Sequence, residues 1–278
     1  MELTQILRMY DDSIWGERIK LARHTDAHVD LDALQRSGHL FEYEQRQGKP
    51  YFHETDILFT FIGEQGSRSR FASAYRVNGV VEAAVPVSPD FPYPDLGLGT
   101  YCYDLVLLPA FAGLTNRLVI DWGKGTRSWV QWMKPKDVIE IRPVGYVREF
   151  AGYDEVVIDY DELASIIANP DANRVWHQML GAVAGVYLIT DLVDGQQYVG
   201  SASGEGGILS RWKTYASTPH GGNVQLKALL EAHPARHRKF QFSILRTLPR
   251  TQTAKEVVAV EARYKRKLGS RAFGLNSN

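Results

Sequence analysis

Cysteine is almost missing. Cys102 is the only one in 278 residues, which excludes an intrachain disulfide and any multi-cysteine zinc site and makes a reducing, cytoplasmic setting the expectation. Long apolar runs are missing as well: none approaches the roughly 18 residues of a membrane-spanning helix, so no membrane partner is expected. The opening "MELTQILRMYDDS" lacks the basic-then-apolar layout of a secretory signal. Internal repeats, low-complexity tracts and heptads are not found, which argues against solenoids and coiled coils. Even net charge is lacking, since 32 Lys and Arg balance 32 Asp and Glu.

That balance hides an asymmetry. Residues 185–278 carry 14 basic and 6 acidic side chains, whereas residues 1–184 carry 18 and 26. The basic portion suits a polyanion such as a phosphate backbone, although a solvated basic face has the same composition. The charge break also suggests a boundary near residue 184. With 44% hydrophobic residues the chain has material for real cores, and its length favours two domains. The expected division is a strand-rich region over 1–150, a helical linker over 151–184 and a compact unit over 185–278.

Within the first region, residues 1–24 read as a mostly helical entry, followed by a short helix at 31–37. Strand signals then dominate. "DILFTFIG" (56–63) is a buried-type run, and "FASAYRVNGVVEAAV" (71–85) reads as a hairpin about Asn78-Gly79. After a Pro/Gly loop at 88–99, "YCYDLVLLPA" (101–110) and "DVIEIRPVGYV" (137–147) continue the pattern. "RLVIDWGKGTRSWVQWM" (117–133) suggests a second hairpin turning at Gly123–Gly125. Short strands at this spacing predict a small β-barrel or sandwich. "EVVIDY" (155–160) precedes a helix capped by Asp161, and "ANRVWHQML" (172–180) predicts another helix.

From Gly185 the signals become sharper. "GVYLIT" and "QQYVGS" form a hairpin around Asp194-Gly195, and the Gly-rich stretch 204–207 starts a helix reaching about Ala216. Asn223 is placed to cap "VQLKALLEAH", and "FQFSILRTL" (240–248) alternates as a strand. Thr253 and Glu256 have capping-box spacing ahead of a helix over 254–268. The order β-β-α-α-β-α defines an α+β unit.

On the last helix Val257, Val260, Tyr264 and Leu268 form one apolar stripe at about 100° per residue, and Glu261 falls inside it. A carboxylate on an inward face needs a compensating cation, either an arginine or a bound metal. On the helix after the Gly-rich turn, Arg211 sits at the edge of the face made by Ile208, Trp212 and Ala216, with Tyr215 one turn on. Tyr187 and Tyr198 lie on facing strands. Phosphodiester hydrolysis requires a cation on the phosphate, charge stabilisation in the transition state and a group that takes a proton from water. Glu261 offers a hard oxygen for Mg²⁺ or Mn²⁺. Arg211 offers a planar fork for phosphate oxygens. A tyrosine has to be lowered by nearby cations before it serves as a base.

These residues resemble the GIY-YIG nuclease family. The two signatures stand as Gly185-Val186-Tyr187 and Tyr198-Val199-Gly200, followed in order by Arg211, Tyr215, Glu261 and Asn276 in "GLNSN". The resemblance implies a small three-stranded antiparallel sheet flanked by helices, and cleavage of nucleic acid with a single divalent metal. It implies Tyr187 as general base or water-positioning group, and Tyr198 at the phosphate. Arg211 is implied at the transition state, Tyr215 at the phosphate or leaving group, Glu261 as metal ligand and Asn276 as orienting residue.

A double-stranded DNA partner, with modified bases selected or not by the first region, follows as the expected substrate of a restriction or phage-defence endonuclease. Double-strand cleavage then calls for a homodimer or successive nicks. A repair or mobile-element nuclease and a catalytically inactive binding module are the alternatives. In the first region Arg68, Arg70, Arg76, Trp122, Lys124, Arg127 and Trp129 are candidates for DNA contact, the tryptophans being equally suited to the core. In the last unit Lys213, His220, Lys227 and Arg263 are further candidates, within or near basic runs such as "ARHRKF" and "RYKRK". "GEGG" lacks the Lys-Ser/Thr ending of a P-loop, and His24 and His28 lack the glutamate of a zinc-protease helix.

Overall fold

Apolar side chains collect around two separate sheets. The structure, a computed structural model, describes residues 1–81, 86–93 and 101–276. The chain divides into two units, Met1–Arg142 and Pro143–Asn278.

The first unit runs α1 (Leu3–Tyr10), β1 (Ile19–His24), α2 (Leu31–Ser37), α3 (Leu40–Gln45), β2 (Arg46–Gln47), β3 (Ile57–Gly63), β4 (Arg68–Val81), β5 (Tyr101–Leu107), β6 (Leu118–Asp121), β7 (Val130–Trp132) and β8 (Val138–Ile141). Its eight strands form one curled, half-barrel sheet in the order β2-β5-β4-β3-β1-β7, with β6 joining β4 to β8. The largely apolar run in β3, interrupted by a buried Thr60 whose hydroxyl donates to Ser73 O, follows from burial on both faces. Ile57, Phe59 and Phe61 pack towards Leu3, Ile6 and Leu7 of α1, while Leu58 packs with Phe52, Tyr75 and Tyr103.

Three local expectations change. Residues 19–24 are not helical but form β1, paired in parallel with β3, because Leu21 and Ala22 fill opposite faces of the sheet. Asn78-Gly79 is not a hairpin turn. β4 passes straight through it, and a register shift against β5 marks a bulge there. A two-residue type I′ turn needs positive φ at both positions, and only Gly79 has it (φ +128°), while Asn78 bonds across to Asp104 at 3.0 Å. Residues 82–85 of that stretch, and 94–99 of the Pro/Gly loop, lie outside the described residues. The hairpin expected over 117–133 is also not formed: β6 pairs with β4 and β8, whereas β7 pairs with β1. Between them Trp122 drops into the core and its indole N–H donates to Ser128 O at 3.1 Å.

The second unit contains β9 (Val157–Asp159), α4 (Tyr160–Ala168), α5 (Arg174–Ala182), β10 (Ala184–Asp191), β11 (Gln197–Ala202), α6 (Gly207–Ser217), α7 (Val224–Ala232), β12 (Phe240–Leu248) and α8 (Ala254–Leu268). Antiparallel strands lie in the order β11-β10-β12-β9. The sheet therefore has four strands rather than three. The extra one comes from the stretch expected to be a linker, which folds as part of this unit: Ile158, Leu163, Ile166, Trp176 and Leu180 are all buried in its main core. The cap of α4 is Asp159, in a reciprocal box with Glu162, and not Asp161. Asn223 caps α7, and Thr253 with Glu256 boxes the start of α8.

Strand β10 is the centre of this unit. Tyr187 and Ile189 point to the core shared with α4, α5 and α6, and Ala184 and Val186 point to the smaller core shared with α8. The apolar stripe of α8 runs through Val257 and Val260 to Tyr264, while Leu268 is exposed beyond it. Among the described residues, no helix is long and apolar enough to cross a membrane. Because Leu163 is an integral core residue, Leu163→Ala should destabilise the second unit by about 2–5 kcal/mol. Urea unfolding measures this, and an unchanged transition would mean that 151–184 behaves as a detachable linker.

Candidate active site

The paired signatures meet across the β10–β11 hairpin, where Tyr187 stands opposite Gly200. The Tyr187 ring lies flat against that glycine: a Cβ on residue 200 would sit 2.4 Å from both Cζ and the phenol oxygen. Gly185 is constrained in the same way, since its Cβ would come within 2.5 Å of Arg246 O and 2.9 Å of Ile208 Cδ1. Each glycine is thus the space that lets a helix side chain or a tyrosine ring lie on the sheet.

Over this surface α6 lays Trp212 and Tyr215, both fully buried, and Arg211, which is half-buried. The phenols of Tyr187 and Tyr215 are hydrogen-bonded at 3.1 Å. Arg211 donates from Nε to Tyr187 Oη at 3.2 Å and from Nη2 to Tyr215 Oη at 3.5 Å, and its Cζ lies 5.1 Å from the Tyr215 ring centroid. Tyr198 is nearly buried in the same core and close enough to act on both phenols electrostatically. Burial pushes Tyr187 and Tyr215 well above the usual tyrosine range. Tyr198 adds to this at both and Tyr187 adds to it at Tyr215, while the Arg211 guanidinium, and at Tyr187 the hydrogen bond with Tyr215, oppose it only in part. The lowering expected from Arg211 is therefore outweighed by burial. Both phenols are neutral near pH 7, and Arg211 is the member of the cluster with surface to offer a phosphate.

Glu261 is held separately. Tyr198 and Gly200 face α6, so the alternation of β11 turns Ser201 to the α8 side. There the Ser201 hydroxyl donates to Glu261 Oε2, and Lys265 Nζ lies 2.7 Å from Oε1. Both members of the ion pair are largely buried, with side chains 14% and 11% exposed. The partner is a lysine one turn along the same helix, at the i,i+4 spacing, and not an arginine. Glu261 and Ser201 together present hard oxygens. Among the described residues, no group of three or more His, Cys, Asp or Glu side chains is placed to hold a metal ion.

Asn276 acts on the backbone. Its Oδ1 accepts from Val199 N and its Nδ2 donates to Val199 O, both at 2.9 Å, so its amide pairs with the outer edge of β11 as another strand would. Ser270 Oγ donates to the same Oδ1 at 2.7 Å.

The candidates for DNA contact divide sharply. Arg68 is paired with Glu140 and Glu64, Arg70 with Asp32 and Glu64, and Arg76 with both oxygens of Glu17 at 3.1 Å. Trp122 is 1% exposed in the core under the ammonium of Lys136. These four have partners within the first unit, Glu64 close by in the chain and Glu17, Asp32, Lys136 and Glu140 farther along it. Lys124 and Arg127 are exposed, while Trp129 is partly buried against Tyr51, Phe52 and His24. In the second unit Lys213 and Arg263 are exposed, Lys227 is exposed near Glu231 at 3.9 Å, and His220 accepts from Gly222 N at 3.0 Å in the loop after α6.

The GIY-YIG catalytic domain family matches residues 183–276. Two solved structures are similar to this part of the chain. The catalytic domain of the homing endonuclease I-TevI is 23% identical, with 34% of this chain and 96% of that one covered and a TM-score of 0.28. A mutant of the catalytic domain of intron endonuclease I-TevI is 22% identical, with 34% and 94% covered and a TM-score of 0.29. Among curated proteins, none matches. The match places a GIY-YIG catalytic domain at residues 183–276, within the second unit.

The packing of Tyr187 on Gly200 gives a direct test. Gly200→Ala should displace the ring, cost about 1–3 kcal/mol and alter the near-ultraviolet circular dichroism of the buried aromatic cluster. A variant with unchanged stability and spectrum would contradict the contact.

Proposed function

We propose that the protein is a divalent-metal-dependent DNA endonuclease of the restriction or phage-defence type, acting in the cytoplasm, with its first unit selecting the target. The observation that carries this reading is the buried cluster in which two neutral phenols hold the Arg211 guanidinium at the α6 side of a GIY-YIG catalytic domain.

In this reading Arg211 binds a non-bridging phosphate oxygen and stabilises the added charge of the pentavalent transition state. Tyr187 and Tyr215 fix the guanidinium and offer hydrogen bonds to oxygens that approach it. Tyr198 lines the same surface, and Asn276 keeps β11 and its tyrosine in place through Val199. Glu261, supported by Ser201, is the residue suited to hold Mg²⁺ or Mn²⁺, with water and phosphate oxygens completing the shell. When bound, such a cation polarises the phosphate and acidifies a water molecule. The Lys265 ammonium satisfies Glu261 in the absence of a cation and has to move aside for one. Because each chain carries one such site, a double-strand cut requires a homodimer or two successive nicks.

The same Glu261–Lys265 pair favours a second reading, a nucleic-acid-binding module without catalysis, because a carboxylate already neutralised has less need of a metal. Cleavage decides between them. Supercoiled plasmid with Mg²⁺ should become nicked or linear, and Glu261→Ala and Arg211→Ala should each reduce the rate by about 10²–10³-fold or more. Equal cleavage by wild type and both variants would reject the assignment of the site, and no cleavage by the wild type on any DNA would favour the binding module.

A further inference from the structure

Glu261 sits in the apolar face of α8, where Val257 and Val260 are buried and Tyr264 packs with them over β10 and β11. The Tyr264 hydroxyl also donates to Leu245 O at 3.2 Å, so the helix is pinned to β12 one turn beyond the acid. Lys265 stands at the i,i+4 position with the acid N-terminal to the base, the favoured orientation for such a pair in a helix. Its side chain is 11% exposed, whereas Arg263, Arg266 and Lys267 around it are exposed. Among the described residues, no carboxylate other than Glu261 pairs with Lys265.

The two partners of the carboxylate differ in kind. Oε2 accepts from the Ser201 hydroxyl of β11, and Oε1 lies 2.7 Å from the Lys265 ammonium. A hydroxyl can turn its proton away and offer a lone pair to a cation. An ammonium has three donors and no lone pair, so it cannot join the shell of a metal ion and can only stand in for one. The stand-in is also tethered. Glu261 and Lys265 share one helix, and a tethered partner competes at a high effective concentration.

We propose that Lys265 sets how tightly Glu261 takes a divalent cation, as a tethered ammonium that occupies the cation's place and has to be outcompeted. The proposal rests on the reading of Glu261 as the ligand of that cation, and goes beyond it by assigning the residue that tunes the affinity. Cation binding is weakened whether the ammonium leaves or stays. Leaving forfeits a largely buried ion pair, and staying sets like charges side by side. In exchange, the carboxylate is neutralised before a cation arrives, so an approaching phosphate backbone does not meet an unpaired negative charge there.

The test titrates Mn²⁺ into the full chain at neutral pH and counts the bound ion by electron paramagnetic resonance, with thermal unfolding followed in parallel by circular dichroism. Lys265→Met removes the charge and keeps much of the side chain's length, and it is expected to bind Mn²⁺ about tenfold or more tighter than the wild type. Without its partner Glu261 is poorly compensated, so this variant melts lower in the absence of metal and gains more from Mn²⁺ than the wild type does. Lys265→Arg restores the charge and should bring the affinity back to within about threefold of the wild type. Lys265→Gln supplies the neutral arm if the Met variant does not fold. Equal Mn²⁺ affinity in the wild type and the neutral variants, or weaker binding in the neutral variants, overturns the proposal and leaves Glu261 as a cation ligand. Mn²⁺ binding that survives Glu261→Gln, or that is absent from every protein, rejects the reading of Glu261 itself, and the proposal falls with it.

Discussion

The second unit depends on one close contact, the Tyr187 ring against the bare backbone of Gly200. That contact lets a tyrosine lie inside the sheet–helix core with its hydroxyl still reaching Arg211 and Tyr215. Two buried phenols that satisfy each other would be a closed structural pair. The guanidinium opens the pair, because a half-buried cation with planar donors retains capacity for an external anion. Burial, which keeps the phenols neutral, also keeps them as donors. The cluster is therefore a guanidinium held by two protonated phenols.

Charge is divided along the chain by pairing as much as by composition. In the first unit the arginines of β4 meet carboxylates brought in from α2, β8 and the segment before β1, so much of the charge of a basic-looking stretch is paired. In the second unit Arg236 is taken up by Asp191 and Asp194, and Lys265 by Glu261. Lys213, Arg238, Arg263 and Arg266 are among the cations that remain exposed on this unit.

Much of the second unit was legible in the residues. The caps at Asn223 and Thr253, the Asp194-Gly195 hairpin and the order of elements are local signals, and local signals survive folding. Glu261 in an apolar stripe was legible as an anomaly, and the i,i+4 spacing to Lys265 was there to read, but its partner Ser201 was not, since that contact requires the facing strand. The fourth strand, β9, was lost because three residues beside a helix give no period to read. The first unit was less legible for a related reason. β1 pairs in parallel with a strand more than thirty residues on, and the pairing of Arg68, Arg70 and Arg76 is long-range, so neither leaves a trace in the local pattern.

The proposed activity turns on whether Glu261 can hold a divalent cation or serves only in the internal ion pair with Lys265. Titration of Mn²⁺ into the full-length protein, followed by electron paramagnetic resonance, tests it most directly. The account predicts one bound ion per chain in the wild type and loss of that site in Glu261→Gln. Absence of a bound ion in the wild type, or the same binding in both proteins, would contradict it.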